Sequence, residues 1–168
     1  MKKIAMMIVA LATALSANAQ FEEGKVYLGA SMTGFDMSYN GLKKFNLGVY
    51  AKAGYLFMDN LMALAQVGYQ HTGQHGVSDT FQAGIGFRYY IIQNGLYLGV
   101  NGKYAHASHY NDVLPGMEVG YAFFINRTVT LEPAIYYDQS FKSQSNYSTV
   151  GLRLGVGVYL FRDNYLKR

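Results

Sequence analysis

The chain has no cysteine. That excludes disulfides, thiolate metal sites, a catalytic thiol and a lipid-bearing N-terminal cysteine. Tryptophan is also missing, and proline occurs twice. Charged residues make up 14%, against about 25% in an ordinary soluble domain, a poor composition for a water-covered surface. After residue 19 there is no apolar run of the roughly 18 residues that would read as a transmembrane helix. No phosphate-binding loop, paired-carboxylate site or nucleic-acid signature occurs. The net charge of +4 is no argument for nucleic acid either, since two of its cations sit in a segment expected to be removed.

That segment is residues 1–19. Lys2 and Lys3 make a basic start, residues 4–15 an apolar run, and Ala17-Asn18-Ala19 the small residues a signal peptidase needs. The run is too short to span a bilayer as a helix. Cleavage is expected before Gln20, leaving residues 20–168 as one exported domain.

Within that domain glycine and tyrosine are abundant, 19 and 16 in the whole chain. Hydrophobicity alternates with period 2, the signature of strands with two unlike faces. Eight strands are predicted, over 25–38, 43–57, 61–71, 79–91, 96–108, 113–125, 129–139 and 147–161. In the first, the phase is lost after Gly34, where a bulge would restore it. Met58-Asp59-Asn60, Gln93-Asn94-Gly95 and Asn126-Arg127-Thr128 read as tight turns. The other four connections, near 39–43, 72–78, 109–112 and 140–146, are longer and more polar.

An apolar stripe that itself carries no charge runs along one face of these strands. Phe45, Leu47, Val49, Ala51, Ala53 and Tyr55 form it in one strand, Phe81, Ala83, Ile85, Phe87, Tyr89 and Ile91 in another. Lys52, Arg88, Lys103, Glu118, Glu132 and Arg153 all take the opposite phase. A soluble barrel of lipocalin type would turn the charged face to water, and that face would be dense in charge. Here it holds few charges and many glycines, among them Gly48, Gly68, Gly84, Gly99 and Gly157. Glycine weakens a solvated strand. Inside a barrel of eight strands, whose bore is just wide enough for side chains, it makes room. Aromatics also collect at the strand ends of the apolar face. Phe45, Tyr69, Phe81, Tyr104 and Tyr137 lie toward the longer loops; Tyr55, Phe57, Tyr89 and Phe123 lie toward the short turns. This suits two interfacial girdles. The expected fold is all-β, an eight-stranded antiparallel up-and-down transmembrane barrel. Short turns would be periplasmic and longer loops extracellular, and an even strand number puts both termini in the periplasm.

The leader, the stretches Phe81-Gln82-Ala83-Gly84-Ile85-Gly86-Phe87-Arg88-Tyr89 and Val150-Gly151-Leu152-Arg153-Leu154-Gly155-Val156-Gly157-Val158-Tyr159, and the aromatic near the chain end resemble the small outer-membrane proteins with an OmpA- or OmpX-like barrel domain. The resemblance spans residues 25–161. It implies residence in the outer membrane among its lipids and lipopolysaccharide. It also implies insertion by the barrel assembly machinery, read from the terminal strand at Phe161 or Tyr159. A monomer is expected.

The six charged residues are expected to form an ion-pair network in the lumen, because a buried charge needs a partner. The loop positions place Lys103 opposite Glu118, and Glu132 opposite Arg153; Lys52 and Arg88 are left without an assigned partner. The expected role is structural or interactive, stabilising the envelope or presenting surface loops. The alternative is a narrow channel for ions or small hydrophobic solutes. A less favoured reading is a lipid A-modifying enzyme, since His106 and Ser108 share the outward face as in lipid A deacylases. However, His109 follows Ser108 and no acidic residue is in place to orient His106, so no catalytic residue is assigned. His71, His75, His106 and His109 lack metal-ligand spacing, and no metal or cofactor is expected. Pro133, mid-strand on the lipid face, should disturb the ladder locally.

Overall fold

The computed structural model describes residues 21–38, 46–72, 79–91, 95–107, 110–141 and 148–160. The leader with its cleavage point, Phe45, His75, Ser108, His109 and Phe161 lie outside the described residues.

The period-2 segments form strands: β1 (Val26–Ser38), β2 (Asn46–Met58), β3 (Leu61–Thr72), β4 (Thr80–Tyr90), β5 (Leu96–Ala107), β6 (Tyr110–Tyr121), β7 (Phe123–Phe124), β8 (Val129–Asp138) and β9 (Thr149–Leu160). Sequence neighbours pair antiparallel except β6 and β7, which both pair with β8, and β1 pairs with β9. Every wall therefore has two neighbours, and no edge is left to recruit another strand. β7 continues β6. Gly120 faces Ala134 and Phe123 faces Leu131, which is one unbroken register against β8. The barrel thus has eight walls.

Pro133 explains the break between β6 and β7. It lacks an N–H to donate, and the ladder lapses where β8 passes Glu132 and Pro133. On the other side the register runs through without a shift, Pro133 facing Leu154. The disturbance is a one-sided gap, not a bulge. Bulges do occur elsewhere. One lies between Thr33 and Phe35, where the alternation of the first strand lapses, and another between Leu56 and Met58.

One expected boundary is wrong in a way that matters below. β6 begins at Tyr110, and Ala107 already pairs with Tyr110. Only residues 108–109 lie between β5 and β6, so the longer polar loop expected over 109–112 is mostly strand. Asn111 and Asp112 read as loop because they are polar. In the barrel they belong to the end of a strand, where polarity is tolerated.

The two faces separate as the alternation requires. Ile85 is 72% exposed and Ile135 58%, while Arg88 and Lys103, on the inner face, are 1% exposed. Tyr69, Phe81 and Tyr104 are exposed toward one rim, Tyr55, Phe57 and Tyr89 toward the other. Tyr137 and Phe123 are half-buried. Apolar side chains outside and charges inside is the arrangement of a barrel whose solvent is lipid.

Candidate functional site: the barrel lumen

The interior is filled in three layers. At the turn side is an aromatic plug of Tyr27, Tyr90, Tyr97 and Tyr159, with Leu56, Met62 and Phe124 packed around them. Its centre comes from outside the strands. Phe21 is fully buried and stacks on Tyr90, ring centroids 3.7 Å apart and planes 9° from parallel. The segment before β1 is tied to the turn side by backbone hydrogen bonds: Asn60 N–H to the Phe21 carbonyl (2.8 Å), Gly24 N–H to Leu56 (2.7 Å) and Leu56 N–H to Lys25 (2.9 Å). The Asp59 carboxylate accepts from the Glu23 N–H. Asn60 makes the tight turn possible by adopting φ +64°, a left-handed conformation that asparagine tolerates better than most residues. No periodic signal marks Phe21, because it precedes the first strand.

The middle layer is an ion-pair network. Glu118 accepts from three cations: Lys52 Nζ at 3.2 Å, Arg88 Nη2 at 2.9 Å and Arg153 Nη1 at 2.7 Å. Arg88 crosses the bore to Glu132 with its other terminal nitrogen, 2.9 Å. Glu132 also accepts from the Tyr27 hydroxyl (2.9 Å) and the Thr130 hydroxyl (2.8 Å). The Arg88 guanidinium lies 3.9 Å from the Tyr97 ring centroid, and Arg153 lies 4.4 Å from that of Tyr136, so ring faces supply further stabilisation. Two glycines make this packing possible. A Cβ on Gly99 would sit 2.6 Å from Glu118 Cγ, and one on Gly157 2.7 Å from Glu132 Oε1.

The third layer, toward the loops, pairs Lys103 with Asp138. Ser140 donates to Asp112 at 2.5 Å. Tyr50, Gln82 and Gln70 form a chain of weaker hydrogen bonds, Tyr50 to Gln82 at 3.4 Å and Gln82 to Gln70 at 3.1 Å.

All six residues named from the sequence lie in this interior, but not in the expected pairs. Lys103 stands opposite Leu114, not Glu118, and its partner is Asp138. The cause is the short 108–109 connection. Arg153 stands opposite Ala134, and Glu132 opposite Gly155. Arg153 reaches across to Glu118 instead. Lys52 and Arg88, left unassigned by the sequence, both bond Glu118. Two further inward carboxylates, Asp112 and Asp138, are 4% and 7% exposed. Both were legible from phase, since Asp112 shares that of Glu118 and Asp138 that of Glu132. With them, the buried charges balance among the strand residues whose burial is described, four cations against four carboxylates.

On the outside, His71 Nδ1 lies 2.8 Å from Asp79 Oδ1, and the Tyr69 hydroxyl donates to the same carboxylate. His106 Nδ1 lies 2.5 Å from Asn111 Oδ1. The oxygen orienting His106 is thus an amide, which cannot stabilise an imidazolium as a carboxylate does. Among the described residues, no three His, Cys, Asp or Glu side chains form a metal-binding group.

No family model matches the chain, and no curated protein matches it. Solved structures do. Neisserial surface protein A is 16% identical with a TM-score of 0.55, over 80% of this chain and 95% of that one. The N-terminal β-barrel domain of Pseudomonas aeruginosa OprF is 11% identical with a TM-score of 0.55, over 82% and 98%. The Yersinia pestis outer membrane protein Ail, in a phospholipid bilayer nanodisc, is 12% identical with a TM-score of 0.54, over 82% and 100%. At such identities the likeness concerns the fold: a closed eight-stranded barrel of the kind small outer-membrane proteins use.

Proposed function

We propose that the chain is an integral outer-membrane barrel that works as a solid, non-enzymatic element of the envelope, stabilising it and presenting its loop side to the exterior. The observation that carries the reading is Arg88. Its guanidinium spans the bore between Glu118 and Glu132 at 2.9 Å each and lies against the Tyr97 ring. Immediately on the turn side, Phe21 and Tyr90 fill the remaining section. An interior occupied in this way offers no continuous path for a solute.

In this reading the exposed apolar band contacts lipid and the aromatic rims meet the headgroups and lipopolysaccharide. Both termini lie on the periplasmic side, and the protein acts as a monomer. The barrel assembly machinery would dock the terminal strand through Phe161. Tyr159 suits that role poorly in the folded barrel, because it points into the plug and its hydroxyl lies 2.6 Å from that of Tyr90.

The test is electrical. Purified protein reconstituted in planar bilayers should show no steady current. A stable conductance that changes on Glu118→Ala would overturn the reading and establish the narrow-channel alternative. Recovery of the protein in the inner-membrane or soluble fraction of fractionated cells would overturn its outer-membrane placement.

A further inference from the structure

We propose that the wall between β6 and β8 is a lateral seam, and that the ion-pair network is the latch that holds it shut. This goes beyond the filled-lumen reading, because a wall can part sideways while the bore stays blocked along its axis. The backbone makes the seam. Both prolines of the chain, Pro115 and Pro133, lie on its two strands. The Pro115 carbonyl accepts from the Gln139 N–H at 2.8 Å. At the turn end the Ile125 N–H donates to the Val129 carbonyl at 2.9 Å, in the same register. Opposed residues in an antiparallel pair alternate between bonded and non-bonded. By register the bonded ones here are Pro115–Gln139, Met117–Tyr137, Val119–Ile135 and Tyr121–Pro133. Proline has no N–H. The first pair therefore keeps a single bond, and the last falls where the ladder lapses. Between the prolines only Met117–Tyr137 and Val119–Ile135 are complete. The neighbouring walls run unbroken, β5–β6 from Leu96 to Ala107 and β8–β9 from Val129 to Asp138.

Side chains close what the backbone leaves open. Among the strand residues whose burial is described, all four buried carboxylates lie on the two strands of the seam: Asp112 and Glu118 on β6, Glu132 and Asp138 on β8. The four cations lie on other strands, Lys52 on β2, Arg88 on β4, Lys103 on β5 and Arg153 on β9. Alone, the carboxylates would repel one another across the seam. Arg88 bridges Glu118 to Glu132, at 2.9 Å each. Arg153 reaches from β9 past β8 to Glu118 at 2.7 Å, and Lys103 from β5 past β6 to Asp138. Ser140 donates to Asp112 at the loop end. Each of these links ties one side of the seam to the other. Parting this wall would strand fewer backbone groups in lipid than parting either neighbouring wall. The charges, more than the ladder, set how readily it opens.

Amide hydrogen exchange, read residue by residue by NMR on the purified protein in phospholipid nanodiscs, tests the seam. The Met117, Val119, Ile135 and Tyr137 amides face it. Those of Glu118 and Gly120 face β5, and those of Ala134 and Tyr136 face β9. The seam-facing set should exchange at least about tenfold faster than its alternating neighbours. Ser140→Ala takes away one link without removing a charge and should widen that ratio by about threefold. Glu132→Gln takes away one end of the Arg88 bridge and should widen it by about tenfold. Pro133→Val restores a backbone donor and should narrow it. Equal exchange of the two sets in the unaltered protein would overturn the seam. Seam-facing amides that ignore both Ser140→Ala and Glu132→Gln, or that speed up only together with the alternating set, would overturn the latch. Planar-bilayer current bears on the blocked bore alone, so the two readings fail separately.

Discussion

Replacing Glu118 with glutamine preserves the size of the side chain and removes one negative charge from the centre of the bore. Three cations meet there, at 3.2, 2.9 and 2.7 Å. Arg88 keeps Glu132 at 2.9 Å. Lys52 and Arg153 have no second carboxylate among the described ion pairs. Unpairing one buried charge costs about 3–5 kcal/mol. With two cations unpaired at once, and ring faces compensating only Arg153, the loss from Glu118→Gln should reach the top of that range, about 5 kcal/mol. Arg153→Met is the control. It leaves Glu118 with Lys52 and Arg88 and removes a cation, so its cost should be nearer about 1–3 kcal/mol. Urea unfolding in lipid vesicles, followed by tyrosine emission because the chain has no tryptophan, measures both. The double variant should lose less than the sum of the singles, since the second change removes a charge the first had stranded. If Glu118→Gln and Arg153→Met cost the same to within about 0.5 kcal/mol, and the double variant is additive, then Glu118 is not the shared hub and the reasoning fails.

Three further outcomes are expected. Phe21→Ala should destabilise by about 3–5 kcal/mol, as a buried aromatic lost from a packed site does. Planar-bilayer current should remain absent in that variant, because Arg88 still crosses the bore; a current would show that the plug, not the network, closes the lumen. Gly99→Ala should cost about 1–3 kcal/mol by driving a methyl into Glu118 Cγ, whereas Gly102→Ala, whose Cβ meets nothing within 4 Å, should be nearly neutral in the same unfolding titration. Ile85→Arg should cost about 2–4 kcal/mol in a bilayer if that face meets acyl chains, and a loss confined to a few tenths would count against lipid on the outside.

Strand number, direction and facing were all legible in the sequence, because each rests on the period of two. That period survives glycines, aromatics and even Pro133, since facing depends on parity and not on propensity. The bulge after Gly34 was legible for the same reason: parity fails there and must be restored. Phe21 was not. A residue outside the strands has no phase, and what draws it into the bore is the unfilled section between Tyr90 and Tyr159, which exists only after the barrel closes. Nor was the brief connection at 108–109 legible, because polar residues at a strand end and polar residues in a loop look alike.

That last error shows why facing and pairing differ in kind. Lys103 was matched with Glu118 and belongs opposite Leu114, a slip of four residues along β6; Glu132 was matched with Arg153 and belongs opposite Gly155, a slip of two along β9. Both slips are even. An odd slip would have put a charge into lipid, which the apolar stripe forbids. An even slip exchanges one lumen residue for another and costs the pattern nothing. Register within the lumen must therefore be set by terms the alternation does not contain. Charge balance is one of them. Counting only Glu118 and Glu132 left four cations facing two carboxylates, an imbalance no water-poor interior sustains. Asp112 and Asp138, in phase with those two glutamates, are the carboxylates that remove it. The imbalance was itself the sign that inward carboxylates were still uncounted: Asp112 just outside the strand predicted over 113–125, and Asp138 inside the one predicted over 129–139.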